Sequence, residues 1–222
     1  MCGRYTLVDP GAIAARYGTA NVLEELHPRY NAAPGQGLPV IVREEGKARA
    51  EVMRWGLVPS WAKDPGIGYR MINARAETAA EKPSFRSAFR RRRCLVPTTG
   101  FYEWKKEGEA KQPYFIHLKE VDLFSFVGLY ERWRDAAGNE LATFTILTTE
   151  PNVLLRSIHD RMPVILRRED EGMWIDTENK DADGFAGLLR PYDPDAMEVY
   201  QVSGAVNSPG NEARSLIEPE IR

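Results

Sequence analysis

Cys2, directly behind the initiator methionine in MCGRYTL, is the residue of this chain best suited to chemistry. Once Met1 is removed it carries a free α-amine and a thiol on adjacent carbons. Their ordinary pKa values, ~7.7–8.0 and ~8.5, leave both partly unprotonated near neutrality. The plain alternative is that position 2 has no role. His159, in SIHDRMPV, sits at a polar corner where a helix gives way to a strand, with Asp160 beside it. An imidazole next to a carboxylate at the end of an element is an acid/base candidate. Glu103, in GFYEW, falls in a run of aromatic residues. In a strand it faces away from Tyr102 and Trp104 and shares the side of Phe101. On an apolar side its carboxyl would be costly to ionise and would serve as a proton donor or shuttle; an outward-facing strand glutamate is the alternative. INARAET places Asn73, Arg75 and Glu77 at period two. If extended, it presents an amide suited to an oxygen-bearing intermediate and a guanidinium suited to a phosphate.

Other chemistries have no seat. The three histidines, His27, His117 and His159, are scattered, and no metal-ligand spacing joins them to each other or to the cysteines, so no metal is expected. There is no Walker loop and no Gly-x-Gly-x-x-Gly, hence no nucleotide cofactor and no other cofactor is expected. Cys2 and Cys94 are the whole cysteine complement, too few for a disulfide framework, which fits a reducing cytoplasm. With 43% hydrophobic and 28% charged residues the chain can bury a real core. No apolar run approaches a membrane span and no signal peptide opens the sequence, so a cytoplasmic protein is expected.

The net charge of −2 hides an asymmetry: residues 1–111 hold 19 Lys/Arg against 12 Asp/Glu, and residues 112–222 hold 11 against 20. An anionic partner would dock on the first half. The densest basic stretch, Arg86 with Arg90 to Arg93, reads equally well as a solvated helix face and C-terminus.

The elements that must position these groups read as follows. A short strand at 2–8 precedes a helix at 9–18, with Asp9 as N-cap, Pro10 first and Gly18 as stop. An irregular loop spans 27–36, a hairpin 38–44 with 48–58, and a long functional loop 59–78. A short helix near 82–92 has Ser84 as a possible cap. Strands follow at 93–104, 112–119, 123–134 and 140–150, then a brief helix at 151–158 and a strand at 163–167. Two acidic helices, near 169–175 and 181–190, lead to a last strand at 197–203. The pattern predicts one α+β domain over 1–222, with a mostly antiparallel sheet or barrel core at about 2–207, short peripheral helices and a tail at 208–222.

MCGRYTL, RYNAAPGQ, RWGLVPSWA, INARAET, RCLVPTTGFYEW, TTEPN, IHDRMPVIL and VSGAVN occur in this order over nearly the whole chain. In these blocks the sequence resembles the SOS-response-associated peptidase family of abasic-site processing proteins. Thr98 and Thr99 depart slightly from the family pattern, standing where an alanine and a variable residue are expected.

The resemblance implies capture of abasic sites in single-stranded DNA, protecting the lesion during the DNA damage response. Cys2 would be the nucleophile, its amine forming a Schiff base with the sugar aldehyde and its thiol closing a thiazolidine. Glu103 would assist ring opening, His159 would handle the proton at the sugar oxygen or Schiff base, and Asn73 would orient Cys2. It further implies removal of Met1, by the chain itself or by an aminopeptidase, and weak lyase activity through β-elimination. Arg4, Asn31, Arg75, Arg86 and Arg161 are the DNA-contact candidates, with Trp61 to stack on a base; Trp55 is either a second stacking residue or a core aromatic. A monomer would suffice. Two other readings remain: an N-terminal-cysteine amidohydrolase or glutaminase, which would want glycine where Ala74 follows Asn73, and a non-catalytic single-strand DNA-binding module.

Overall fold

The structure is a computed structural model and describes residues 2–178, 184–185 and 187–220. Its strands are β1 (Tyr5–Leu7), β2 (Arg29–Ala32), β3 (Gly37–Glu44), β4 (Lys47–Trp55), β5 (Asn73–Arg75), β6 (Arg93–Thr98) and β7 (Gly100–Glu107). These are followed by β8 (Ala110–Leu118), β9 (Phe124–Arg134), β10 (Glu140–Thr149), β11 (Met162–Pro163), β12 (Ile165–Leu166) and β13 (Met197–Gln201). Short helices α1 (Ile13–Tyr17), α2 (Ala76–Ala79), α3 (Arg86–Arg91) and α4 (Glu171–Ile175) lie at the periphery.

Two sheets form. The path β10–β4–β3–β6–β9 returns to β10, giving a closed five-stranded barrel in which only the β4–β10 pairing is parallel. The short strands β5 and β11 hang on β10, and β12 hangs on β9. The second sheet is open and antiparallel, in the order β13–β8–β7–β1–β2.

Strand periodicity places the core. Val40, Val42, Cys94, Val96 and Phe126 pack with Tyr5, Phe101 and Ile116 of the open sheet, while Ile41, Leu95 and Val127 turn the other way, toward the helices. Each fully buried large aliphatic or aromatic side chain contributes about 1.5–3 kcal/mol. The two sheets share that core, so the protein is a single α+β domain built mostly from antiparallel strands, as the sequence predicts. Among the described residues no helix is long and apolar enough to cross a membrane.

Several element expectations need correction. The strand expected at 93–104 is two: the chain leaves the barrel at Thr98 and enters the open sheet at Gly100. Threonine hydroxyls hold that corner, with Thr98 Oγ1 donating to Thr6 O (3.1 Å) and Thr6 Oγ1 bonded to Thr99 Oγ1 (2.7 Å). Gly100 is required there, since a Cβ would lie 2.3 Å from the Phe115 ring. The loop at 59–78 contains a 3-10 helix (Pro65–Arg70), β5 and α2, and the loop at 27–36 contains β2. At 9–18 the helix is shorter than expected, a 3-10 turn followed by α1, but Asp9 accepts from Ala12 N and Gly18 ends it at φ 59°. Helix α3 starts at Arg86, and its N-cap is Phe85 rather than Ser84, with no side-chain cap. Residues 151–158 form successive turns instead of a helix, and the helix near 169–175 is a 3-10 turn leading into α4. The second acidic helix, at 181–190, falls partly outside the described residues; Leu188 and Leu189 close turns onto Phe185 O.

Candidate active site

The four residues Cys2, Asn73, Glu103 and His159 come together at the seam between the sheets. β1 pairs with β7 at Tyr5–Phe101, and Tyr102 N donates to Arg4 O (3.1 Å), which runs the N-terminal residues alongside Glu103. Asn73 opens β5, in parallel register with Ile146 of β10. The preceding Ile72 carbonyl accepts from the indole N–H of Trp55 (2.9 Å), anchoring β5 to the core. Asn73 Nδ2 donates to the carbonyl of Cys2 (2.8 Å), and Asn73 Oδ1 is a buried acceptor with no hydrogen-bond partner among the described residues. An amide so placed holds Cys2 through one end and offers an acceptor through the other.

Glu103 is 2% exposed, so the outward-facing alternative is excluded. Burial pushes its carboxyl up to about 7, so it gains and loses a proton near neutrality. His159 Nε2 lies 4.0 Å from Glu103 Oε2. Its Nδ1 accepts from Arg161 N (3.1 Å) and also stands 2.9 Å from Asp160 Oδ1. These contacts require opposite protonation states of Nδ1. Desolvation lowers the imidazole pKa, and the Asp160 side chain is largely in solvent, so the neutral ring with its proton on Nε2, toward Glu103, is the state assigned.

Cys2 is fully buried, and its Sγ lies 3.8 Å from Arg4 O. Burial first, and the Glu103 carboxylate second, push the thiol far above its ordinary range, so it stays protonated. A cleft of about 390 Å³ opens over Glu103 and His159 and is also lined by Trp104, Lys111 and Asn207. Sequence reasoning gave those last three no role. Trp104 was in view beside Glu103, and Asn207 ends the VSGAVN block. Lys111 carried no signal, because only the β7–β8 hairpin brings it near the site.

The DNA-contact candidates divide. Arg75, Arg86 and Trp61 are exposed, Trp61 at 58%. Arg4 is half-buried, with Nη1 donating to Gly3 O (2.9 Å). Arg161 is clamped: its fork meets both Glu77 oxygens at 2.8 Å and the Thr148 carbonyl at 2.5 Å. Asn31 corrects the expectation, for it is fully buried. Its Nδ2 spans the carbonyls of Val206, Ser208 and Asn211 at 2.9–3.2 Å as an internal latch, and its Oδ1 is a buried acceptor with no hydrogen-bond partner among the described residues. Trp55 is likewise core, stacked on Phe144. The basic stretch also splits: Arg86, Arg90 and Arg91 are exposed, Arg92 pairs with Glu131, and Arg93 is buried against Trp174 and Phe185.

The sequence profile of the SOS response associated peptidase (SRAP) family matches residues 1–209. The chain belongs to the SRAP family. Within it, the chain is 50% identical over 222 residues to the abasic site processing protein YoqW of Bacillus subtilis, covering 98% of this chain and 99% of that one. It is 30% identical to the abasic site processing protein YedK of Escherichia coli, over 99% of this chain and 100% of that one. A crystal structure of a protein from Bacteroides thetaiotaomicron superposes with a TM-score of 0.90 at 33% identity, covering 99% and 100% of the two chains. The profile match spans the whole seam, from Cys2 to Asn207.

Proposed function

We propose that this SRAP protein captures abasic sites in single-stranded DNA by a covalent thiazolidine link to Cys2, formed after Met1 is hydrolysed away. The observation that carries the reading is that Asn73 holds the Cys2 carbonyl at the seam between the sheets, beside the Glu103–His159 pair that lines the cleft. The names of the relatives, abasic site processing proteins, point the same way.

The chemistry balances on this chain's own groups. Ring opening of the abasic deoxyribose moves the C1′ hydroxyl proton away and protonates O4′, a task for Glu103 with a pKa near neutrality. The Cys2 amine then adds to the C1′ aldehyde, and water leaves to give the Schiff base. The thiol is held neutral by burial, so the amine leads. Sulfur next adds to the same carbon, and its proton ends on the ring nitrogen. The net change is the joining of protein and DNA with loss of one water. His159, neutral with its Nε2 proton toward Glu103, relays protons between carboxyl and sugar. The Schiff base is also the species from which β-elimination of the 3′ phosphate would give weak lyase activity. One chain carries all four groups, so a monomer suffices. Exposed Arg75, Arg86 and Trp61 are the proposed contacts to the strand.

A single-stranded oligonucleotide with one abasic site, incubated with the protein and run on a denaturing gel, tests the reading. A heat-stable adduct, absent with an intact strand, is expected. Hydrolysis of glutamine without any adduct would replace this reading with the amidohydrolase one.

A further inference from the structure

The cleft beside the Glu103–His159 pair has a second end built from other residues. Trp104 and Lys111 come from β7 and β8, joined by the tight hairpin in which Trp104 faces Pro113 and Lys106 faces Lys111. Asn207 comes from the segment that follows β13, pinned under the open sheet by Asn31 and by Glu212. All three line the same cleft as Glu103 and His159.

Their polar atoms are specific. The Trp104 indole N–H donates to Asn207 Oδ1 at 2.7 Å. That bond fixes which way the amide points and leaves the exposed Asn207 NH2 as the end available to a ligand. Lys111 is exposed and makes no ion pair with an acidic side chain among the described residues. Its charge reaches the site as the smallest of the influences on the His159 pKa, which burial chiefly lowers. An unpaired ammonium, an amide presenting only donors and an aromatic floor together select an anionic oxygen cluster attached to something flat or apolar. The sugar at Glu103–His159 has such a group on each side, its own phosphodiester linkages.

We propose that Lys111, Asn207 and Trp104 form a phosphodiester subsite that holds the linkage flanking the lesion sugar and so sets the sugar against Glu103 and His159. The proposal rests on the abasic-site reading for the identity of the sugar, but not on the covalent step. It assigns phosphate binding next to the lesion to the β7–β8 hairpin of the open sheet, away from the Arg161 fork, which meets Glu77 beside β11.

Equilibrium binding to a single strand carrying a tetrahydrofuran abasic analogue tests it without requiring any crosslink. Lys111→Ala is expected to weaken binding roughly fivefold at low salt. It should also lower the slope of log Kd against log salt by about 0.7, one phosphate on a single strand. Lys111→Arg should recover most of the affinity. Asn207→Asp, which keeps the indole acceptor and replaces the donor with a charge, should weaken binding at least as much as Lys111→Ala. A neutral methylphosphonate at one flanking linkage should cost the wild type the same factor and cost Lys111→Ala nothing more. Penalties that simply multiply at both flanks, or a Lys111→Ala variant with unchanged affinity and salt slope, would overturn the subsite. Wild-type binding that depends on Lys111, with no adduct on a true abasic strand, would refute the covalent reading and leave the subsite standing.

Discussion

In the barrel, β10 is bonded along most of its length, to β9 on one side and to β4 and then β5 on the other. In the open sheet, β2 ends at an edge, and the N–H groups of Tyr30 and Asn31 are taken by the Glu212 carboxylate at 2.7 and 3.2 Å instead of by a strand. Closure gives the barrel rigidity without a free edge. Openness gives the second sheet a side where the N-terminal residues and the segment after β13 can pack and line a cleft. The site uses both. Asn73 comes from a strand hung on β10 and His159 from the turn leading to β11, whereas Glu103 lies in β7 of the open sheet and Cys2 leads into its β1. The Cys2 carbonyl is thus held by a side chain from the closed side.

Substitutions on the two sides should therefore separate stability from chemistry. The largest effect belongs to the barrel: Phe126→Ala, at a fully buried ring edge-on to Tyr5, Phe101 and Phe124, should cost about 3–5 kcal/mol in urea unfolding. The protein that remains folded should still form adduct, and a loss below 1 kcal/mol would mean the barrel is not the stabilising half.

Glu103→Gln should act in the opposite direction. Between the carboxyl value of 4.5 expected in the unfolded chain and about 7 in the fold, the folded protein keeps a proton that the unfolded chain has lost. Wild-type stability should fall as pH rises through that window, and the variant should not follow it, gaining roughly 3 kcal/mol over wild type above pH 8. Adduct formation should slow and lose its dependence on a group titrating near 7. Parallel stability curves for the two proteins would contradict the buried-acid assignment.

On the outer surface, Trp61→Ala should weaken single-strand binding by about 1–3 kcal/mol, measured by fluorescence anisotropy. It should leave the urea midpoint almost unchanged, because the ring is 58% exposed. The smallest change is expected for Glu77→Gln, which opens a bridge whose glutamate is half in solvent: less than about 1 kcal/mol of stability. The Arg161 clamp holds Glu77 below the ordinary carboxylate range, so wild type should lose that increment as pH falls through the Glu77 pKa, while the glutamine variant has none to lose.

The long strands were legible because β9 and β10 are runs rich in aromatic and β-branched residues, parted by a turn that carries Gly138. Closure was not, since it depends on the parallel pairing of Thr143 and Phe144 with Arg54 and Trp55, residues distant in sequence with no local mark. The corner at Thr98–Thr99 was hidden for a related reason: the run of strand-forming residues is continuous, and only hydroxyl bonds to Thr6 reveal where it changes sheets. Of the site, types and contexts raised Cys2, Asn73, Glu103 and His159 only as candidates beside plainer readings, and their meeting at one seam depends on the β1–β7 and β5–β10 pairings, which leave no local mark. Asn31 was misread because an amide in a polar stretch looks available until the segment at 206–211 covers it. Arg161 looked like a free cation until its fork met Glu77.

The intact mass of the product on an abasic single strand tests the central claim most directly. The account predicts one species, the protein without Met1 plus one oligonucleotide minus one water, that survives heat and is absent with Cys2→Ala. No such species from protein verified to begin at Cys2, or the same adduct from Cys2→Ala, would contradict it.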